Sequence, residues 1–249
     1  MIALGITGYH HTGKTTLATR IISLLRGEGR RVASIKDIHN EDYRADQEGS
    51  NSWKHAQAGA DQVFARGLHD AALILTPSPD IPRMLDLIYA DWLVIEGLKE
   101  AAVPKILCAR DAAQADELLD GTVFALWGGI SEDHETFKGL PVLPADIADG
   151  QLLALVRQNS FEILPHSDTE CCGACGRDCY QMAADIVQGR AKRSDCVLDS
   201  QNSITLSMGG EPVTIVPFVQ NILRDGILGM VDNLKGIDPS KDIEIRIKR

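Results

Sequence analysis

The stretch that most narrows the fold is Gly8-Tyr9-His10-His11-Thr12-Gly13-Lys14-Thr15, which fits G-x-x-x-x-G-K-[ST] at every fixed position. It follows "IALGIT", a short apolar run that reads as a buried strand. It precedes a run in which Leu17, Ile21, Leu24 and Leu25 recur at helical spacing. Strand, loop and helix in that order is the context the motif needs. Glycines let successive amide N–H groups turn toward one anion, and the helix N-terminus adds its dipole. Gly8, His10, His11, Thr12, Gly13, Lys14, Thr15 and Thr16 are therefore expected to border a nucleoside triphosphate. Lys14 is expected to reach the β- and γ-phosphates, and the Thr15 hydroxyl to bind Mg²⁺. His10 and His11 fill variable positions, where the backbone does the binding. Neighbours in a tight loop point apart, which argues against a histidine metal pair.

The pattern continues as strands and helices in alternation. "RRVASIK", "AALILT", "WLVIEG", "PKILCAR" and "TVFALW" read as strands, as do shorter pieces near "DQVFAR" and "LPVLP". Helices are expected near 52–58, after Pro82 and near 145–158. Apolar strands alternating with helices imply an α/β fold of the P-loop NTPase kind, a mostly parallel sheet with helices on both faces. A P-loop enzyme also needs a carboxylate near Mg²⁺. Glu96, at the carboxyl end of its strand, is the candidate, because ligands sit there in open α/β sheets. Asp91, five residues earlier, reads as a strand-start residue.

Charge and length bound the partners. A net charge of −10 and 5% aromatic residues give no footprint for nucleic acid. Met1 leads straight into the first strand with no cationic leader, and no apolar run is long enough for a membrane span. A cytoplasmic protein is expected, with reduced thiols. Five of the six cysteines nevertheless lie between Cys171 and Cys196. In a reducing compartment such clustering speaks for metal or redox chemistry.

These cysteines open a second region with its own pattern. It contains a short helix in "YQMAADIVQGR", a hairpin around Gly209-Gly210, a long helix in "FVQNILRDGILGMVDNL" and a strand in "DIEIRIK". The expected organisation is a nucleotide-binding domain over 1–160 and a small α+β cysteine-rich domain over 165–249. The long helix is expected to turn Ile222, Leu223, Ile227, Met230 and Leu234 to a core. Cys172, Cys175, Cys179 and Cys196 can converge on one centre, with Cys171 as a spare. Four thiolates suit either Zn²⁺ or an iron–sulfur cluster. Cys108, alone on a strand, reads as core, and His166 as a linker residue.

Two resemblances sharpen this. "IKDIHNEDYRADQEGSNSWKHAQAGAD" and "VIEGLKEAAVPKILCAR" resemble the molybdopterin-guanine dinucleotide biosynthesis adaptor family, MobB, over roughly residues 1–155. Lys36, His39, Asp46, Gly49, Ser52 and Ala58-Gly59-Ala60 match, as do Glu96, Gly97, Lys99, Pro104, Lys105 and Arg110. The family's histidine after the lysine is Asp37 here, and an aspartate of its G-K-D-S segment is Asn51, which puts a hydrolytic role for that position in doubt. The resemblance implies GTP and Mg²⁺ binding, slow hydrolysis at most, and assistance to a molybdenum cofactor nucleotidyltransferase or client oxidoreductase. Lys14, Asp46 and Glu96 are the residues expected to act on the nucleotide. Family members are often homodimers, though the sequence marks no interface. The cysteine stretch resembles the four-cysteine motif of the corrinoid iron–sulfur protein large subunit, which favours a [4Fe–4S] cluster over zinc. The competing readings are a GTPase metallochaperone for nickel or another metal, with His10, His11 and the cysteines as transit ligands, and a catalytically silent GTP-binding module.

Overall fold

The structure is a computed structural model; it describes residues 1–166, 175–196, 204, 206–208, 211–213, 215, 217–234, 243–245 and 247. In chain order the first elements are β1 (Ile2–Gly8), α1 (Lys14–Gly27), β2 (Val32–Lys36), α2 (Asn51–Gln57), β3 (Gln62–Arg66), β4 (Ala71–Leu75) and α3 (Ile81–Asp86). They continue with β5 (Trp92–Glu96), β6 (Lys105–Cys108), α4 (Ala112–Leu118), β7 (Val123–Trp127), β8 (Thr136–Phe137), β9 (Leu140–Pro141), α5 (Asp149–Asn159) and β10 (Phe161–Glu162). The last are α6 (Cys179–Val187), β11 (Leu206–Met208), β12 (Glu211–Val213) and α7 (Pro217–Val231). No helix among the described residues is long and apolar enough to cross a membrane.

The central sheet has the order β2-β5-β1-β6-β7, all pairs parallel. Its strands are apolar on both sides because helices cover both faces. On one face Leu4, Ile6, Val94 and Ile106 meet Leu17, Ile21 and Leu25 of α1 and Leu152 and Val156 of α5. On the other, Ala3, Leu93 and Ile95 meet Ile81, Met84 and Leu85 around α3. A third cluster joins Leu107 and Leu126 to Ala115 of α4. Burying each of these large aliphatic side chains stabilises the fold by roughly 1.5–3 kcal/mol.

Three elements depart from the sequence reading. "AALILT" is no buried strand of the sheet. It forms β4, which pairs antiparallel with β3 in a separate two-stranded ribbon, where Phe64 is 67% exposed. The Gly67 amide donates to Asp70 O in the turn, and so short a connection permits only antiparallel pairing. "LPVLP" yields the small β8–β9 hairpin and a single bridge from Val142 to Leu126. The connector after α5 forms β10, antiparallel to β1 at Ile2 and Ala3. β6 begins level with Gly5, so this stretch of β1 has an edge to fill.

The chain divides into two compact units, residues 1–166 with 179–193, and residues 167–178 with 194–249. The sequence reading grouped α6 with the cysteine-rich region, yet α6 belongs to the first unit. Met182 and Ala183 are buried, and a Cβ on Gly121 would lie 2.9 Å from the Ala184 side chain. Within the second unit, β11 and β12 pair antiparallel as expected. Among the described residues of α7, Met230 is 67% exposed and Ile222 and Leu223 are exposed, as is Leu234 just beyond it, whereas Ile227 is half-buried. Residues 243–245 and 247 of the expected last strand are not in a strand.

Candidate nucleotide site

The loop after β1 is built around two backbone requirements. Gly8 has φ 139°, and a Cβ there would lie 2.1 Å from Cys108 O on the neighbouring strand. Gly13 has φ 89° and stands at the start of α1 without any side-chain cap, so the first amides of α1 remain available to an anion. A Cβ on Gly13 would lie 3.4 Å from the indole Nε1 of Trp127. Thr12 is buried and its hydroxyl donates to Tyr9 O at 2.8 Å. Lys14 Nζ donates to the same carbonyl at 2.5 Å. Burial lowers the Lys14 pKa, against the pull of nearby Cys108 and Glu96.

Glu96 ends β5 and is 7% exposed. Its Oε1 accepts hydrogen bonds from Thr15 Oγ1, at 2.7 Å, and from Lys36 Nζ. Burial opposes its ionisation, but the bonds from Lys36 and Thr15 and the charges of Lys36 and Lys14 outweigh it. The carboxyl is held below its usual range. Glu96 is therefore an anion at neutral pH, beside the hydroxyl expected to bind Mg²⁺. Lys36 reaches it because β2 pairs with β5 and the two residues are direct partners across the ladder.

These groups open on a cavity of about 360 Å³, within the range of small-ligand sites. Its lining comprises His10, His11, Gly13, Lys14, Thr15, Thr16, Lys36, Asp37, Glu96 and Gly97. His10 and His11 are exposed, with ring centroids 6.5 Å apart and planes tilted by 53°. Asp46 does not line the cavity. Its Oδ1 accepts from Gln47 N and Ser50 Oγ, and Ser50 in turn caps α2 through Trp53 N. Lys36, Asp37 and Gly97 are the cavity residues to which sequence reasoning gave no role. Asp37 Oδ2 lies 2.7 Å from His39 Nε2, and its backbone comes within 3.1 Å of where a Gly97 Cβ would sit. Asp91, at the other end of β5, pairs with Arg31 at 2.7 Å as a strand-start residue should.

The cysteines give less. Cys171 and Cys172 lie outside the described residues. Cys175 is half-buried with Sγ 3.5 Å from Arg177 O, Cys179 begins α6, and Cys196 is buried. Among the described residues no three His, Cys, Asp or Glu side chains are grouped to hold a metal ion. Cys108 is core, its thiol pushed up to about 12 by burial. His166 has both ring nitrogens engaged, Nε2 accepting from Ala102 N and Nδ1 2.7 Å from Leu164 O.

Residues 3–127 match the family model of MobB, "Molybdopterin guanine dinucleotide synthesis protein B". The chain belongs to the MobB family. Residues 164–198 match a second family model, described as "Putative Fe-S cluster". A Methanocaldococcus jannaschii protein named "Putative molybdopterin-guanine dinucleotide biosynthesis adapter protein" is 29% identical over 99% of this chain and 97% of its own length. The Haemophilus influenzae molybdopterin-guanine dinucleotide biosynthesis adapter protein is 38% identical over 43% of this chain and 62% of its own. In three dimensions, the crystal structure of Bacillus subtilis MobB superimposes with a TM-score of 0.55 at 24% identity, covering 64% of this chain and 98% of that one. At that identity the likeness speaks for the fold alone. It is the mostly parallel, helix-flanked sheet expected of a P-loop NTPase.

Proposed function

We propose that the protein is a GTP-binding adaptor of molybdopterin guanine dinucleotide synthesis that also carries an iron–sulfur module. The carrying observation is Glu96, ionised and held by Thr15 at the mouth of a glycine-shaped, uncapped helix start, in a chain of the MobB family. The donor set fits a magnesium triphosphate. Lys14 and the first amides of α1 would hold the phosphates, and Thr15 with Glu96 would hold Mg²⁺, which supplies charge neutralisation at the phosphates. Guanine as the base follows from the family, since no base-reading motif is present. Asp46 acts through the loop between β2 and α2 rather than by contact with the cavity.

Cys172, Cys175, Cys179 and Cys196 are the proposed ligands of a [4Fe–4S] cluster, with Cys171 as the alternative first ligand; the match over 164–198 supports the class of group. The proposed setting is cytoplasmic, with a molybdenum cofactor nucleotidyltransferase or its client oxidoreductase as partner and a second copy of the chain as a further one. The proposed division of labour is nucleotide binding by residues 1–160 and cluster binding within 165–249. Hydrolysis is slow, because adaptor action requires a bound nucleotide rather than turnover. No observation favours metal delivery.

The test is calorimetry on anaerobically purified full-length protein with GTP, ATP and GDP in the presence of Mg²⁺. Saturable heat with GTP is expected, and none with any purine triphosphate refutes the adaptor reading. A brown protein with broad absorption near ~400 nm is expected from the cluster. Stoichiometric zinc in a colourless protein refutes that half.

A further inference from the structure

Both cavity lysines are engaged with the protein itself. Lys14 donates to Tyr9 O, and Lys36 donates to the Glu96 carboxylate. The two differ in what a magnesium nucleotide would do to them. Lys14 exchanges a neutral carbonyl for phosphate, a gain with no competitor. Lys36 shares Glu96 Oε1 with the Thr15 hydroxyl, and those two oxygens are the donor pair for the metal in the reading above. A divalent ion placed between them would stand within a few ångströms of an ammonium group, where like charges repel strongly in a half-enclosed site. The metal and the Lys36 ammonium therefore compete for Glu96 Oε1.

We infer that Lys36 is an exchange cation: it holds Glu96 while the metal is absent, and moves to the outermost phosphate when the metal takes Glu96. Three features support this. Its side chain is 54% exposed, so it can swing, while Glu96 is buried and fixed. It lies on β2, away from Lys14 on α1, so the two lysines approach the cavity from different elements. It also lines the same cavity as His10, Lys14 and Thr15, so a released ammonium remains within reach of a bound phosphate. Asp37 also lines the cavity, with its Oδ2 2.7 Å from His39 Nε2. Lys36 thereby becomes the residue that tells a triphosphate from a diphosphate, and it makes metal binding and γ-phosphate recognition a single event.

This inference rests on the nucleotide-binding reading, and the experiment separates the two. GTP and GDP affinities are measured by calorimetry across a magnesium titration, for wild type, Lys36→Met and Lys36→Arg, with thermal melting of each free protein as the folding control. Loss of one charge-assisted contact lowers the GTP-over-GDP preference of Lys36→Met by about tenfold or more. The magnesium concentration for half-maximal GTP binding falls as well, because the competitor at Glu96 is gone. Lys36→Arg, which retains charge, restores most of the preference. An unchanged GTP-over-GDP ratio in Lys36→Met overturns the inference and leaves the adaptor reading standing. Wild type that binds neither nucleotide overturns both. If Lys36→Met melts early, Lys36→Gln, which keeps a polar head without the charge, decides on the same measurement: its GTP-over-GDP preference must fall as that of Lys36→Met should. A preference equal to wild type overturns the inference.

Discussion

Both the carboxyl end of β1 and the amino end of β6 set a lysine near a carboxylate, half-buried at the first and buried at the second, and they solve the problem differently. At the first, Lys14 rests on one neutral carbonyl, Glu96 takes its bonds from Thr15 and Lys36, and about 360 Å³ stays open. At the second, Lys105 is 1% exposed. Its Nζ donates to Lys99 O at 2.7 Å and to Tyr180 Oη at 2.9 Å, and the Tyr180 hydroxyl donates to Asp120 at 2.7 Å. Helix α6 closes this end, with Gln188 Nε2 donating to Gly121 O. A desolvated cation with a weak partner and space in front of it is prepared to bind. One with its bonds filled and its space plugged is a structural pin.

Four experiments would break or sharpen this contrast. The largest effect is expected from Lys14→Ala, which should weaken nucleotide binding by about a hundredfold or more in calorimetry while leaving the melting temperature nearly unchanged. Lys105→Ala should do the reverse. It removes a stem packed over Gly5, where Lys105 Cγ lies 2.9 Å from a Cβ position, and should cost about 2–4 kcal/mol in denaturant unfolding with nucleotide affinity retained. The third is a pH profile. Burial holds Lys105 down to about 8, below its ordinary 10.5, so between these values the unfolded chain binds more protons. Stability should therefore rise with pH from about 8 to 10, by at most about 1.4 kcal/mol per pH unit, and Lys105→Met should flatten the rise. Tyr180, pushed up to about 12 by burial and by Asp120, opposes this only above its ordinary 10. The smallest effect is expected from Tyr180→Phe, about 1 kcal/mol of stability for two lost hydrogen-bond partners.

What the sequence revealed follows the range over which its signals act. The phosphate loop, α1 and β5 were legible because each is written in a few consecutive residues. Glu96 could be placed from its position at a strand end alone. The resemblance marked Lys36, but its bond to Glu96 could not be read, because it depends on β2 lying beside β5, and sheet order leaves no local trace. The same holds for α6. Its apolar stripe was visible, but whether Met182 and Ala183 meet the cysteine-rich region or the sheet is a question of tertiary packing. "AALILT" shows the other limit, since a short apolar run reads alike in a buried parallel strand and an exposed ribbon.

Trp127, whose indole lies beneath Gly13, gives the nucleotide loop a built-in optical gauge. Of the three tryptophans in the chain, Trp53 sits in α2 and Trp92 pairs with Ile2 and Val32 at the far end of the sheet. Any tightening of the loop around a ligand changes the surroundings of this one fluorophore first. Its emission should therefore report occupancy in unlabelled protein, in real time, and fall silent in Trp127→Phe.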